Sequence, residues 1–168
     1  MGSIIMKSAF AISAIALVAT ATTGCNKAES IKATAPAQAT ITEADADKVA
    51  DATVEVWKSM DAAKIKALYA PSVEAYDFVA ATLPKDRAEF DKRQDAYAAA
   101  KLDGATQVER SVQILSPNVF VMSGTWDMTS STTPANNASV RCTDVFQKDE
   151  AGKWPIVNEH CSPVPKPA

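Results

Sequence analysis

Alanine is concentrated at one end of this chain: 27 of its 32 alanines fall in residues 1–100 and only five in the remaining 68, where Val, Thr, Ser and aromatic residues take over. Alanine has the highest helix propensity, whereas β-branched and aromatic side chains suit a half-buried pleated surface. Helices are therefore expected first and a sheet after them. That order argues for an α+β fold. At 168 residues the chain holds one domain's worth of core.

The local signals agree. Thr42 can cap a helix whose positions Val49, Ala52, Thr53, Val56, Trp57 and Met60 recur every three or four residues. Asp61 caps a second, shorter helix through Ile65, Leu68 and Tyr69 that Pro71 stops. A short strand is expected over Val73–Val79, and Thr82 and Pro84 open a third helix with Arg87, Phe90, Gln94, Tyr97 and Lys101 on one face. Asp103-Gly104 ends it. Strands follow at Thr106–Leu115, Val119–Met128, Ser139–Lys148 and Trp154–Ser162, separated by turns at 116–118 and 149–153 and a polar loop at 129–138.

Several chemistries are poorly supported. The net charge is −3, and no basic run exceeds two residues, so a nucleic-acid partner is not expected. Five dispersed glycines form neither common phosphate-binding loop, which leaves no nucleotide cofactor pattern. One histidine, with Cys142 and Cys161 far apart in sequence, makes no metal site. There is no G-x-S-x-G elbow for a serine hydrolase.

The beginning of the chain reads as an export segment. Lys7 precedes an uncharged run from Ala9 to Ala19, too short to span a bilayer comfortably, with small residues after it. Thr22-Thr23-Gly24-Cys25 resembles a bacterial lipobox, departing from it at Thr22, where Leu is usual. Residues 1–24 are thus expected to be a lipoprotein signal peptide and Cys25 the lipidated residue. The competing reading is ordinary cleavage after Ala19-Thr20-Ala21. Two or more acyl chains anchor a protein stably where one does not. Residues 25–41, rich in Ala, Thr, Lys and Gln, suit a flexible tether. Asn26, where inner-membrane lipoproteins often carry Asp, points to the periplasmic face of the outer membrane of a bacterial cell envelope.

The element order, together with two local patterns, resembles the nuclear transport factor 2-like superfamily, which includes the SnoaL-like and ketosteroid isomerase-like proteins. The first pattern is Trp57-Lys58-Ser59-Met60-Asp61 with Ile65, Ala67, Leu68, Tyr69 and Ala70; the second runs from Arg141, Thr143, Val145, Phe146 and Lys148 to Gly152, Trp154, Ile156, His160 and Ser162. The resemblance covers residues 42–163 and leaves 164–168 as a Pro-rich tail. It implies a cone-shaped roll: N-terminal helices packed on a strongly bent antiparallel sheet, with an internal pocket, commonly dimerised through the sheet. Fold alone does not set function, because the same cone serves isomerases, dehydratases, binding modules and assembly domains.

Facing residues of an antiparallel hairpin have a constant index sum, which a turn of two or four residues makes odd. Arg141, Thr143 and Val145 then share a face with Ile156, Asn158, His160 and Ser162; Cys142, Asp144 and Phe146 share the other with Val157, Glu159 and Cys161. A sum of 303 opposes the two cysteines directly, within reach of a disulfide, while 301 puts them on a diagonal too long for one. An oxidising compartment favours the bridge over two thiols. The expected ligand pocket comprises Trp57, Tyr76, Trp126, Arg141, Thr143 and His160, binding a small apolar or carbonyl-bearing molecule or a protein partner without catalysis. The alternative is an isomerase or dehydratase in which Asp77 and His160 act as acid and base. The bland alternatives make His160 a hydrogen-bonded strand residue, Arg141 a partner of an acid, Asp77 a solvated or capping group, and most of the aromatics core.

Overall fold

Thr42 begins the first helix as expected. Its backbone is extended (φ −87°, ψ 159°) and its hydroxyl accepts from the Asp45 N–H at 3.2 Å, so α1 runs over Glu43–Lys58 with acids in its first turn and Lys58 in its last. This computed structural model describes residues 40–77 and 82–165, the side chains of 97–99 excepted. The signal peptide, all but the end of the tether, and the Phe78 position lie outside the described residues. The buried stripe of α1 is Ala46, Ala50, Thr53 and Val54, with Val49, Val56, Trp57 and Met60 packed at its margins. Small alanines sit where the helix comes closest to its neighbours, and Ala52, expected in the stripe, is exposed.

Met60, with φ +50°, turns the chain out of α1 in the left-handed conformation usual for a residue just past a helix end. Asp61 then caps α2 (Ala62–Ala67), its carboxylate accepting from the N–H groups of Ala63 at 3.0 Å and Lys64 at 3.2 Å. The cap holds Ile65, which is fully buried, against the core. Asp61→Ala is expected to lower stability by about 1 kcal/mol, read from the urea midpoint; an unchanged midpoint would show that α2 is held by packing alone.

Here the structure departs from the helical expectation for Leu68 and Tyr69. Strand β1 begins at Tyr69 and runs to Tyr76, and Pro71 falls in an irregular stretch between Tyr69, opposite Ile156, and Glu74, opposite Asn158. β1 is an edge strand, where proline's missing N–H costs no ladder bond. The third helix, α2's partner, begins later than expected: α3 spans Arg87–Ala99. The Asp86 carboxylate accepts from the Glu89 N–H at 2.8 Å and Glu89 reaches back to the Lys85 N–H at 2.9 Å, a reciprocal closure that fixes the start. Arg87 on this helix is no solvated charge: it donates to the carbonyls of Lys66, Tyr69 and Ala70 at 2.7–3.0 Å and ties α3 to β1.

The remaining strands are β2 (Gly104–Ser116), β3 (Val119–Thr129), β4 (Ala138–Gln147) and β5 (Ile156–Pro163). They make a five-stranded sheet of order β1-β5-β4-β3-β2. Pairs β2–β3, β3–β4 and β4–β5 are antiparallel, but β1 joins β5 in parallel, so the sheet is mixed where a wholly antiparallel one was expected. β2 carries a bulge at Val108, and just past it Gly124, opposite Arg110, is required: a Cβ there would lie 2.6 Å from the Glu109 carbonyl oxygen.

One face of the sheet meets the helices. Its core holds Phe120 stacked on Phe146 with centroids 4.5 Å apart, together with Met122, Trp126, Met128, Val140 and Ile156. Tyr69 meets Phe90 of α3 edge-on at 4.7 Å. The other face carries no helix among the described residues. It runs as rows of side chains across the strands, one of them Ser111, Ser123, Thr143, His160 and Tyr76.

Candidate functional site

The index sum of the β4–β5 hairpin is 303. Cys142 faces Cys161 directly, with Cα atoms 4.1 Å apart, and the two are disulfide-bonded. The same register places Asp144 opposite Glu159 on the helix-facing side, one step along from the disulfide. The parity breaks only at the far end: a bulge after Val145 puts Ile156 opposite Phe146 and turns it into the core, not onto the face of Arg141 as expected.

This register decides where the expected pocket residues stand. Trp57 and Trp126 lie inside, between α1 and the sheet, with ring centroids 6.4 Å apart and planes tilted 51°. Arg141, Thr143 and His160 lie on the opposite, helix-free face with Tyr76, whose ring is 5.8 Å from His160. Successive strand residues point to opposite faces, so β4 turns the side chains of Cys142 and Arg141 away from each other. The six residues therefore form two sites instead of one.

On the outer face a trough of about 1070 Å³ is lined by Glu109, Ser111, Thr125, Arg141, His160 and Ser162, among others. Arg141 Nε donates to Ser162 at 3.1 Å, Thr125 donates to Glu109 at 3.1 Å, and the Ser123 and Thr143 hydroxyls meet at 3.3 Å. Arg141 is thus held by a hydroxyl and not by an internal acid.

The inner site is smaller and chemically sharper. Trp57, Trp126, Met128, Val140, the disulfide, Asp144 and Glu159 enclose about 20 Å³ of free space, enough for one water-sized group. Both acids are 4% exposed. Burial pushes both carboxyls up, Asp144 well above the usual range with the neighbouring Glu159 charge adding to it, and Glu159 to about 7. Asp144 and Glu159 face each other across β4 and β5, so a proton held by one can be shared with the other. Tyr69 donates its phenol to Glu159 Oε2 at 2.6 Å and opposes the rise, and the charge of Asp77 adds to it.

Asp77 itself is no solvated group. It is 3% exposed at the end of β1, 3.9 Å from Arg93 Nη1 of α3, and Arg93 also pairs with Glu89 at 2.7 Å. It belongs to the interior, whereas His160 is exposed on the far side of the sheet. Asp77 and His160 thus stand on opposite sides of the sheet, and the structure does not bring them together as an acid–base pair. The acid pair of Asp144 and Glu159, in turn, was not recognised from sequence, although one signal was there: in Val140, Cys142, Asp144 and Phe146 a single acid interrupts an otherwise apolar inward stripe. Among the described residues no cluster of His, Cys, Asp and Glu could hold a metal ion.

No protein-family model and no curated protein matches the sequence. Solved structures do match in fold. A provisional calcium/calmodulin dependent protein kinase II association domain from Xanthomonas campestris is 22% identical, with a TM-score of 0.61 over 75% of this chain and 91% of that one. A nuclear transport factor 2-like protein of unknown function from Pseudomonas putida is 15% identical (TM-score 0.60; 71% and 84%). A ketosteroid isomerase-like protein from Erwinia carotovora is 13% identical (TM-score 0.62; 73% and 96%). The fold is thus the α+β cone of the nuclear transport factor 2-like proteins, with its helices on a mixed five-stranded sheet.

Proposed function

We propose that this is a non-catalytic binding domain of the bacterial envelope, held by lipid on Cys25 and the tether 25–41 at the periplasmic face of the outer membrane, which takes the polar end of a small molecule inside its cone. The observation that carries the reading is the inner cavity: two indoles, a disulfide and two buried carboxyls around space for one water-sized group. That volume accommodates a head group, and Asp77, one of the two residues of the expected acid–base pair, sits beside Arg93. The helix-free sheet face, with its polar trough, is the proposed surface for a second copy of the chain.

Native mass spectrometry of the full chain extracted from its own membrane tests these points together. The expected spectrum shows a dimer carrying diacylglyceryl mass on Cys25 and a retained small molecule released by unfolding. An unlipidated protein ending the leader elsewhere overturns the anchor, and a ligand-free protein overturns the binding role.

One observation favours a second reading, an isomerase- or dehydratase-like enzyme. A Glu159 carboxyl titrating at about 7 beside Tyr69 and Asp77 is placed to move a proton near neutrality. Conversion of a β,γ-unsaturated ketone to its conjugated isomer, followed by absorbance and abolished by Glu159→Gln, would establish it over the binding reading.

A further inference from the structure

The inner cavity is unusual in what it offers a guest. Its lining supplies acceptors in excess: Asp144 and Glu159 provide four carboxyl oxygens, and Asp144 Oδ1 is buried with no donor of the protein bonded to it. The side chains lining it carry no permanent donor other than the two indole N–H groups, and the Tyr69 hydroxyl outside it donates to Glu159. A carbonyl oxygen needs donors and finds, beside the indoles, only the proton that the two acids share. A group made only of donors and carrying positive charge finds both its hydrogen-bond acceptors and its counter-charge.

The aromatic walls point the same way. Trp57 and Trp126 form a tilted corner, and indole faces are the strongest aromatic partners for a cation removed from water. The size of the space selects among cations: one water-sized group matches a primary –NH₃⁺ head, and a quaternary ammonium is too large. Trp57 is half-buried, which leaves the tail of such a molecule a way out beside it.

We propose that the cavity between Trp57 and Trp126 is a site for the primary ammonium head of a small amine, with Asp144 and Glu159 as its counter-charges. This rests on the inner-site binding reading and names its ligand class. Without a guest, a proton shared by the two acids stands in for the missing cation; an ammonium head displaces it, so binding releases a proton and tightens as pH rises from 5.5 to 8. The other titratable groups facing the pair are Tyr69 on β1 and Asp77 at its end, the latter accompanied by Arg93 of α3. None of these carries an unbalanced positive charge into the cavity.

The test is a tryptophan-fluorescence titration of the detergent-solubilised full chain with n-propylammonium chloride, against n-propanol, butanone and tetramethylammonium chloride at equal ionic strength. A saturable response is expected for propylammonium alone, about tenfold weaker at pH 5.5 than at pH 8. Asp144→Asn, which keeps the side-chain shape, is expected to weaken it about tenfold or more. If that variant does not fold by circular dichroism, proton release by the wild-type protein, measured calorimetrically in two buffers of different ionisation enthalpy, replaces it. An equal response to propanol, or no response to propylammonium, overturns the assignment. Saturation by butanone alone overturns it too, but leaves the inner binding site standing as a carbonyl site. Silence toward all four probes, together with a ligand-free native mass spectrum, overturns both.

Discussion

Reduced and alkylated protein is expected to be about 3 kcal/mol less stable than the oxidised form, because the Cys142–Cys161 bridge closes a loop with a sequence separation of 19 residues, and freeing a loop of that length restores that much entropy to the unfolded chain. For a domain of this size that corresponds to a melting temperature lower by about 10 °C. Scanning calorimetry with and without reductant, and on the double variant Cys142→Ala/Cys161→Ala, reads it. Alkylation before reduction should leave both cysteines unmodified even in denaturant. A change of less than about 2 °C in both experiments would mean that the hairpin register is held by the surrounding ladder and that the bridge adds nothing to it.

An effect of similar size is expected from pH. In the unfolded chain Glu159 loses its proton near 4.5, whereas in the fold it holds it up to about 7. Between those values the native state binds the extra proton, so stability falls as pH rises. It is full below about pH 4.5, declines across the interval, and levels off above about 7, a loss of about 3 kcal/mol from this carboxyl. Asp144, raised in the same direction by burial, adds to the slope. Urea unfolding at half-unit steps should show the decline in the native protein and a flat profile over the same range in Asp144→Asn/Glu159→Gln. Asp45, Asp61, Glu89 and Asp103 are shifted the other way by hydrogen bonds and lysine, arginine or serine partners, so their effect lies at lower pH and does not cancel the decline. A slope that survives the double substitution would place the titrating group elsewhere.

What the sequence made legible was local or followed from parity. Thr42 and Asp61 cap their helices because a short polar side chain before a helical run has few other uses. The opposition of Cys142 and Cys161 was readable because a ladder repeats every two residues, and one admissible index sum brought the thiols together. What was hidden depended on partners distant in the chain. Nothing around Tyr69 announces that it leaves its helix for a strand parallel to residues 156–163. Nor does the alternation of β4 state which of its two faces the helices will cover, so the pattern alone does not distinguish Arg141, Thr143 and His160, which lie outside, from Asp144 and Glu159, which lie within. The bulge after Val145 shifts Ile156 inward by one residue, a displacement that no pattern in 154–162 encodes.

The parallel pairing of β1 with β5 sets an order of events. Among the described residues the earliest strand, Tyr69–Tyr76, has as its only neighbour in the sheet the latest, Ile156–Pro163. Contacts this distant in sequence are slow to form, since a long loop must close before any of their energy is recovered. The β2–β3–β4 meander can assemble early, from adjacent strands, but the sheet's edge, the phenol of Tyr69 against Glu159 and the bridge from Cys142 to Cys161 all wait for the final strand. The domain thus stays open until residues 156–163 are in place, and its edge, its acid pair and its cross-link all depend on that strand.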